Sequence, residues 1–151
     1  RKMTDLRDLA REAMTYANVT GNATLSIKFR PKYFPANLDR ILFRQVLYNL
    51  FINAIQAMPN GGEILLEACK LDDGRILLCV SDQGVGIEET IMKKIFEPLF
   101  TNKKEGVGLG LSLCRELVTR HGGSIKAKSS LNKGTTIEIE LPGENSVAKN
   151  E

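Results

Sequence analysis

The chain predicts an α/β fold: a two-layer sandwich of a mixed sheet with helices on one face. Three observations carry that expectation. Strand-like runs come in pairs around tight turn sequences, two long apolar helical segments are inserted between them, and one run, Ile76 to Ser81, is apolar on both faces as a central strand would be. A length of 151 residues with 42% hydrophobic content fits one domain with one core.

Taken in order, Leu6, Leu9, Ala10, Ala13, Met14 and Ala17 recur at helical spacing between Met3 and Ala17. This stripe has no N-cap signal at the chain start. It predicts a helix continuing from an upstream one, so that residues 1–18 form a tail outside the domain, residues 19–142 the domain, and 143–151 a polar, frayed tail. Leu25, Ile27 and Phe29 alternate with polar residues until Pro31, which predicts a first strand. From about Asp39 to Ala57 a helix is apolar on most faces, hence buried, and Pro59-Asn60-Gly61-Gly62 ends it. Ile64 to Cys69 and Ile76 to Ser81 flank the hairpin turn Asp72-Asp73-Gly74. A short helix is expected over Glu88 to Ile95, a loop over Glu97 to Glu105, and a second buried helix from Leu109 to Arg120, closed by Gly122-Gly123. Ser124 to Ser129 and Thr135 to Leu141 then pair around Asn132-Lys133-Gly134. The order of strands in the sheet is not legible.

Composition bounds the function classes. The net charge of +3 is small and dispersed, which argues against a nucleic-acid footprint. No apolar run approaches the roughly 20 residues of a spanning helix and no secretory signal is recognisable, so a cytoplasmic domain without direct membrane contact is expected, whatever tethers its parent. Cys69, Cys79 and Cys114 are odd in number, lack C-x-x-C spacing and lie in apolar stretches, the pattern of buried reduced thiols.

Four polar or glycine-rich stretches stand out against this scaffold. Gln45, Asn49, Asn53 and Gln56 fall on one narrow stripe of the apolar helix. That stripe is either a solvent-facing edge or a set of amides with a task, Asn53 offering its oxygen to a hard cation such as Mg²⁺. Asp82 follows the central strand and precedes Gln83-Gly84-Val85-Gly86. It is either an ordinary strand-end turn or a carboxylate for an exocyclic amine of adenine, with Gly84 and Gly86 letting backbone approach a flat base. Gly106-Val107-Gly108-Leu109-Gly110 leads into a helix whose bare amides suit phosphate, and Lys103 and Lys104 just before it supply positive charge. The spacing is neither a dinucleotide fingerprint nor a P-loop, so a plain tight loop is the alternative. Phe96 and Phe100 bracket Pro98, as anchors of a lid or as core plugs. His121, the single histidine, ends the glycine-loop helix and reads as structural, a cation there adding about 1 kcal/mol.

Together, Asn49-Leu50-Phe51-Ile52-Asn53-Ala54, Ser81 to Gly86, Phe96 to Phe100 and Gly106 to Leu111 resemble the N, G1, F and G2 boxes of sensor histidine kinase catalytic domains, over about Asn37 to Pro142. The resemblance implies the Bergerat ATP-binding sandwich shared with gyrase, Hsp90 and MutL. It implies Asn53 as the Mg²⁺ residue, Asp82 as the adenine reader, Gly84 and Gly86 in the base pocket, Thr135 in the adenine-side network, and Gly106, Val107, Gly108, Leu109 and Gly110 around the phosphates. The short Phe100 to Gly106 lid is similar to the nitrogen-regulator type.

Two departures are informative. Relatives that hydrolyse ATP keep a glutamate where this chain has Asn49, and an asparagine is no general base near neutral pH. Gln56 stands where many of these kinases have a lysine, which shifts weight to Lys103 and Lys104. The expected activity is transfer of the γ-phosphoryl group of Mg·ATP to a histidine on a dimerisation and phosphoacceptor domain absent here, then relay to a response regulator within a homodimeric parent. The alternatives are a hydrolytic ATPase of the same fold and an interaction module that binds no nucleotide.

Overall fold

The structure of the protein, a computed structural model, describes residues 1–19, 21–32, 34–98 and 110–143. Its elements run β1 (Lys2–Asp5), α1 (Leu6–Ala17), β2 (Ala23–Arg30), β3 (Pro35–Leu38), α2 (Arg40–Ala57), β4 (Gly62–Lys70), β5 (Ile76–Ser81), α3 (Glu89–Met92), α4 (Gly110–Arg120), β6 (Ser124–Ser130) and β7 (Gly134–Leu141). The main sheet has the order β2-β4-β5-β7-β6, with β2 parallel to β4 and the other neighbours antiparallel. This is the expected mixed sheet with helices on one face. The order follows from two crossovers, since α2 carries the chain from β2 to a parallel neighbour and α4 delivers it to the far edge.

β5 is the central strand, as its apolar run predicts. Ile76, Leu78 and Val80 point to the helix layer and are buried, whereas Leu77 and Cys79 lie half-covered on the face without helices. In the helix layer α2 packs between α1 and α4. Its Asp39 N-cap accepts from Leu42 N–H at 3.0 Å, and Phe43, Val46, Leu47, Leu50, Phe51 and Ala54 are buried.

The first helix departs from expectation. It is no continuation of an upstream helix: residues Lys2–Asp5 form a strand antiparallel to β3, and Asp5 Oδ1 caps the helix by accepting from Arg7 N–H at 3.0 Å. Leu6, Leu9, Ala10 and Ala13 are wholly buried, and each leucine so placed contributes about 2 kcal/mol. Glu12 bonds Arg40 and Arg44 of α2, which together hold its carboxyl below the usual carboxylate range. The apolar spacing runs back to Met3 and so overlaps the cap at Asp5, which masks the helix start in the sequence. α3 is also shorter than Glu88 to Ile95, because Lys93 to Phe96 continue as turns rather than α-helix.

Candidate functional site

Asp82 comes immediately after β5, half-buried at the rim of the core. Its N–H donates to Thr135 O at 2.9 Å, continuing the β5–β7 pairing by one residue. Its Oδ1 accepts from Gly84 N–H at 2.8 Å and from Thr135 N–H at 3.3 Å. Two backbone amides from separate elements therefore orient this side chain. These two amides fix the direction of the carboxylate at the end of the central strand.

The glycines after it are sterically required. A methyl at Gly84 would stand 2.4 Å from Ala57 O, because the loop lies against the last turn of α2, where Val85 N–H donates to Ala57 O at 3.0 Å. Gly86 has φ +74°, and a methyl there would fall 2.0 Å from Ser130 O. Backbone close approach, anticipated for a base, is here made to the protein itself.

Ser129 completes this side and had no sequence signal of its own. Its hydroxyl donates to Gly134 O at 2.9 Å, accepts from Ile87 N–H at 2.8 Å, and lies 2.8 Å from Thr135 Oγ1. A hydroxyl has a single proton, so Thr135 donates to Ser129. Thr135 thus supports Asp82 through its backbone amide, while its side chain bonds Ser129, whose hydroxyl ties the β6–β7 hairpin to the loop at Ile87. The 129–135 register, Ser opposite Thr, is the pattern from which the pair was findable.

On α2, Gln45 and Gln56 are exposed, so the solvent-edge reading holds for both ends of the polar stripe. Asn49 and Asn53 between them are half-buried. Gln45 Nε2 donates to Asn49 Oδ1 at 3.0 Å. Asn49 also reaches Cys114 on α4, whose thiol is buried, bonds Val46 O at 3.6 Å and is pushed up to about 12 by burial against the pull of the Asn49 bond. Asn53 meets the start of α4, since a methyl on Gly110 would stand 3.8 Å from Asn53 Nδ2. Asn53 and Ala57 are one turn apart, so one stretch of α2 contacts both the first residue of α4 and the glycine loop after Asp82.

Gly110 is thus brought to Asn53, and Gly84, Gly86 and Thr135 to Asp82. Lys103, Lys104, Gly106, Val107, Gly108 and Leu109, like Phe100, lie outside the described residues. Phe96 is half-buried. His121 is buried and takes no part in the site. Its Nε2 accepts from Asp39 N–H at 3.1 Å, so Nδ1 carries the proton it gives to Leu117 O at 2.8 Å. The ring is a tie between α4 and the cap of α2, the structural role expected of it. Cys69 and Cys79 are half-buried on the open sheet face rather than buried, and Glu138 and Glu67 add to burial in raising Cys79 to about 11.

Residues 38–145 match the family described as histidine kinase-, DNA gyrase B-, and HSP90-like ATPase. The chain is 40% identical over 108 residues to the signal transduction histidine-protein kinase AtoS of Escherichia coli (strain K12), covering 72% of this chain and 18% of AtoS. It is 41% identical over 123 residues to the sensor histidine kinase ZraS of Salmonella typhi, covering 82% of this chain and 25% of that protein. The solved catalytic domain of histidine kinase ThkA superposes with a TM-score of 0.81 at 31% identity, covering 95% of this chain and 97% of that domain. The chain therefore spans about a fifth to a quarter of the curated relatives it matches and nearly the whole of a kinase catalytic domain. No helix among the described residues is long and apolar enough to cross a membrane. With the five-stranded mixed sheet, the Asp82 loop and the Asn53 helix in the matched span, the chain belongs to the histidine kinase-, gyrase- and HSP90-like ATPase family, on its sensor histidine kinase branch.

Proposed function

We propose that this chain is the part of a sensor histidine kinase that binds Mg·ATP and delivers its γ-phosphoryl group to a histidine on a dimerisation domain, for relay to a response regulator. The observation that carries the proposal is Asp82, a carboxylate aimed by two backbone amides at the end of the central strand. An acceptor fixed in that way distinguishes an exocyclic amine from a carbonyl. It therefore suits a base that carries an exocyclic amine, as adenine does, and Thr135, Gly84 and Gly86 hold the wall in which it sits.

The donor set on α2 fits the metal. Mg²⁺ takes few protein oxygens and completes its shell with phosphates and water, and Asn53, whose carboxamide carries one hard oxygen, has its amide nitrogen beside the first residue of an 11-residue helix. When bound, the ion neutralises charge on the phosphates. Gly110 at the head of α4 contributes a helix start to the same region, with Lys103, Lys104 and the Gly106 to Leu109 stretch proposed alongside it. Asn49 occupies the general-base place of hydrolysing relatives and is engaged by Gln45, which supports transfer over hydrolysis. The acceptor histidine lies elsewhere, because His121 is the single histidine of the chain and both its ring nitrogens are bonded in the interior.

The deciding experiment is a calorimetric titration with a nonhydrolysable ATP analogue, with and without Mg²⁺. Saturable, magnesium-enhanced binding is expected; no binding would leave a silent interaction module. Sustained phosphate release in the absence of an acceptor would replace the kinase reading by a hydrolytic one.

A further inference from the structure

β2 is an edge strand, paired with β4 on one side and with no strand of the described residues on the other. Two contacts at its start tell which backbone groups face outward. The Asn22 carbonyl accepts from Gly62 N–H at 3.4 Å and so points to β4. The next residue is turned the other way, its carbonyl accepting from Asn18 Nδ2 at 2.7 Å and its N–H donating to Asn18 Oδ1 at 3.4 Å. Both polar groups of a strand residue point to one side and alternate along the strand. The N–H and C=O of Leu25, Ile27 and Phe29 therefore face the unpaired side, while those of Thr24, Ser26 and Lys28 face β4. Asn18 closes the first rung as a neighbouring strand would, and beyond it no described residue pairs with the edge.

Two grooves follow this edge. One of about 500 Å³ runs between α1 and β2 past Arg11 and Leu25; the other, of about 1000 Å³, continues past Arg30 and Lys32 onto the open sheet face. They meet at Arg7 and Ile27. Arg7, Arg11, Lys28, Arg30 and Lys32 line them against one carboxylate, Glu67, and none of these cations makes an ion pair with a described residue. Arg7 lies instead over the Phe29 ring, 5.3 Å from its centroid.

The geometry points to a strand-addition site, at which an extended acidic segment of a partner protein pairs with β2 from Leu25 to Phe29. Main-chain bonds to the edge supply affinity for any extended peptide, and the cations supply the choice. Side chains of an added strand alternate between the two faces, so carboxylates on one face meet Arg7 and Arg11 and those on the other meet Lys28 and Arg30. The same cations repel a second copy of this edge, which removes self-pairing as the occupant. No residue of this groove belongs to the Asp82 and Asn53 site.

The test is a fluorescence anisotropy titration of a labelled peptide of alternating glutamate and valine into the chain, followed by hydrogen exchange. Expected are saturable binding, slowed exchange at Leu25, Ile27 and Phe29 with little change at Thr24, Ser26 and Lys28, and a roughly tenfold loss of affinity in Lys28→Glu/Arg30→Glu. Arg11→Glu, on an exposed helix position, weakens binding through the other face. Equal binding of an alternating lysine and valine peptide would overturn the inference, as would peptide binding that leaves those three amides unprotected. Failure of the peptide together with capture of the chain by phosphatidylglycerol vesicles would reassign the cations to a lipid surface.

Discussion

The two halves of the site are built by different means. Around Asp82 nearly every contact is made by backbone, with Thr135, Gly84, Val85 and Ala57 amides or carbonyls supplying the bonds and Ser129 stitching the hairpin to the loop. Around Asn53 the contacts belong to side chains on one face of a helix, with an exposed end at Gln45 and another at Gln56. A backbone-built half has no slack for an added atom. A side-chain-built half can be pruned residue by residue.

The sharpest way to break the contrast is Gly86→Ala. A positive φ and a methyl 2.0 Å from a carbonyl oxygen together predict a loss of about 3 kcal/mol, read as a lower denaturation midpoint, and a collapse of nucleotide binding. Unchanged stability would mean that the loop relocates freely and the backbone frame is not rigid. Asp82→Ala follows: nucleotide binding falls below calorimetric detection, and the two orphaned amides cost about 1–3 kcal/mol of stability. On the helix side Asn53→Ala leaves the fold intact and weakens only magnesium-dependent binding, by about tenfold or ~1.4 kcal/mol. Equal losses with and without Mg²⁺ would take the metal away from Asn53. Gly110→Ala gives the smallest change, within about 0.5 kcal/mol, because among the described residues the nearest atom to its methyl is Asn53 Nδ2 at 3.8 Å.

A pH series probes the two thiols with raised values, Cys114 in the helix layer and Cys79 on the open sheet face. The folded chain holds the Cys114 thiol at about 12 and Cys79 at about 11, against an ordinary value of 9.0. Raised folded values mean that the native state keeps protons the unfolded state loses. Their contribution is whole below pH 9.0 and is lost as pH climbs toward 11 and 12, so the denaturation midpoint is flat to pH 9 and then falls. Cys114→Ala removes part of that fall, and alkylation of Cys114 at pH 8 requires unfolding.

What was legible from residues alone divides along the same line. Local periodicity placed β2, α2, β4, β5, α4, β6 and β7 within a few residues, because each buries one stripe or one face. Asp82 and Asn53 stand out as candidates because a lone carboxylate after an apolar strand and an amide on an apolar helix are locally conspicuous. The order of the sheet was not, since it depends on which surfaces meet in space. Neither was Ser129, an ordinary strand serine until the hairpin brings it to Thr135 and Ile87. β3 was missed because four residues of Pro35–Leu38 pair only with a chain-start strand that looked like helix. α1 was misjudged for a related reason: cap and stripe overlap at Asp5, and periodicity by itself does not say where the first turn begins.

α2 is secured at both ends. Its N-terminal cap residue, Asp39, donates to the ring of His121, and the Ala57 carbonyl in its last turn holds Val85. At 1.5 Å per residue its 18 residues form a strut about 27 Å long. Because Asn53 rides on that strut and the Asp82 loop is fastened to its tip, the span between the two is preset by the fold. A ligand that bridges them meets a preorganised gauge, and the entropy of bringing those groups into register was expended when the chain folded.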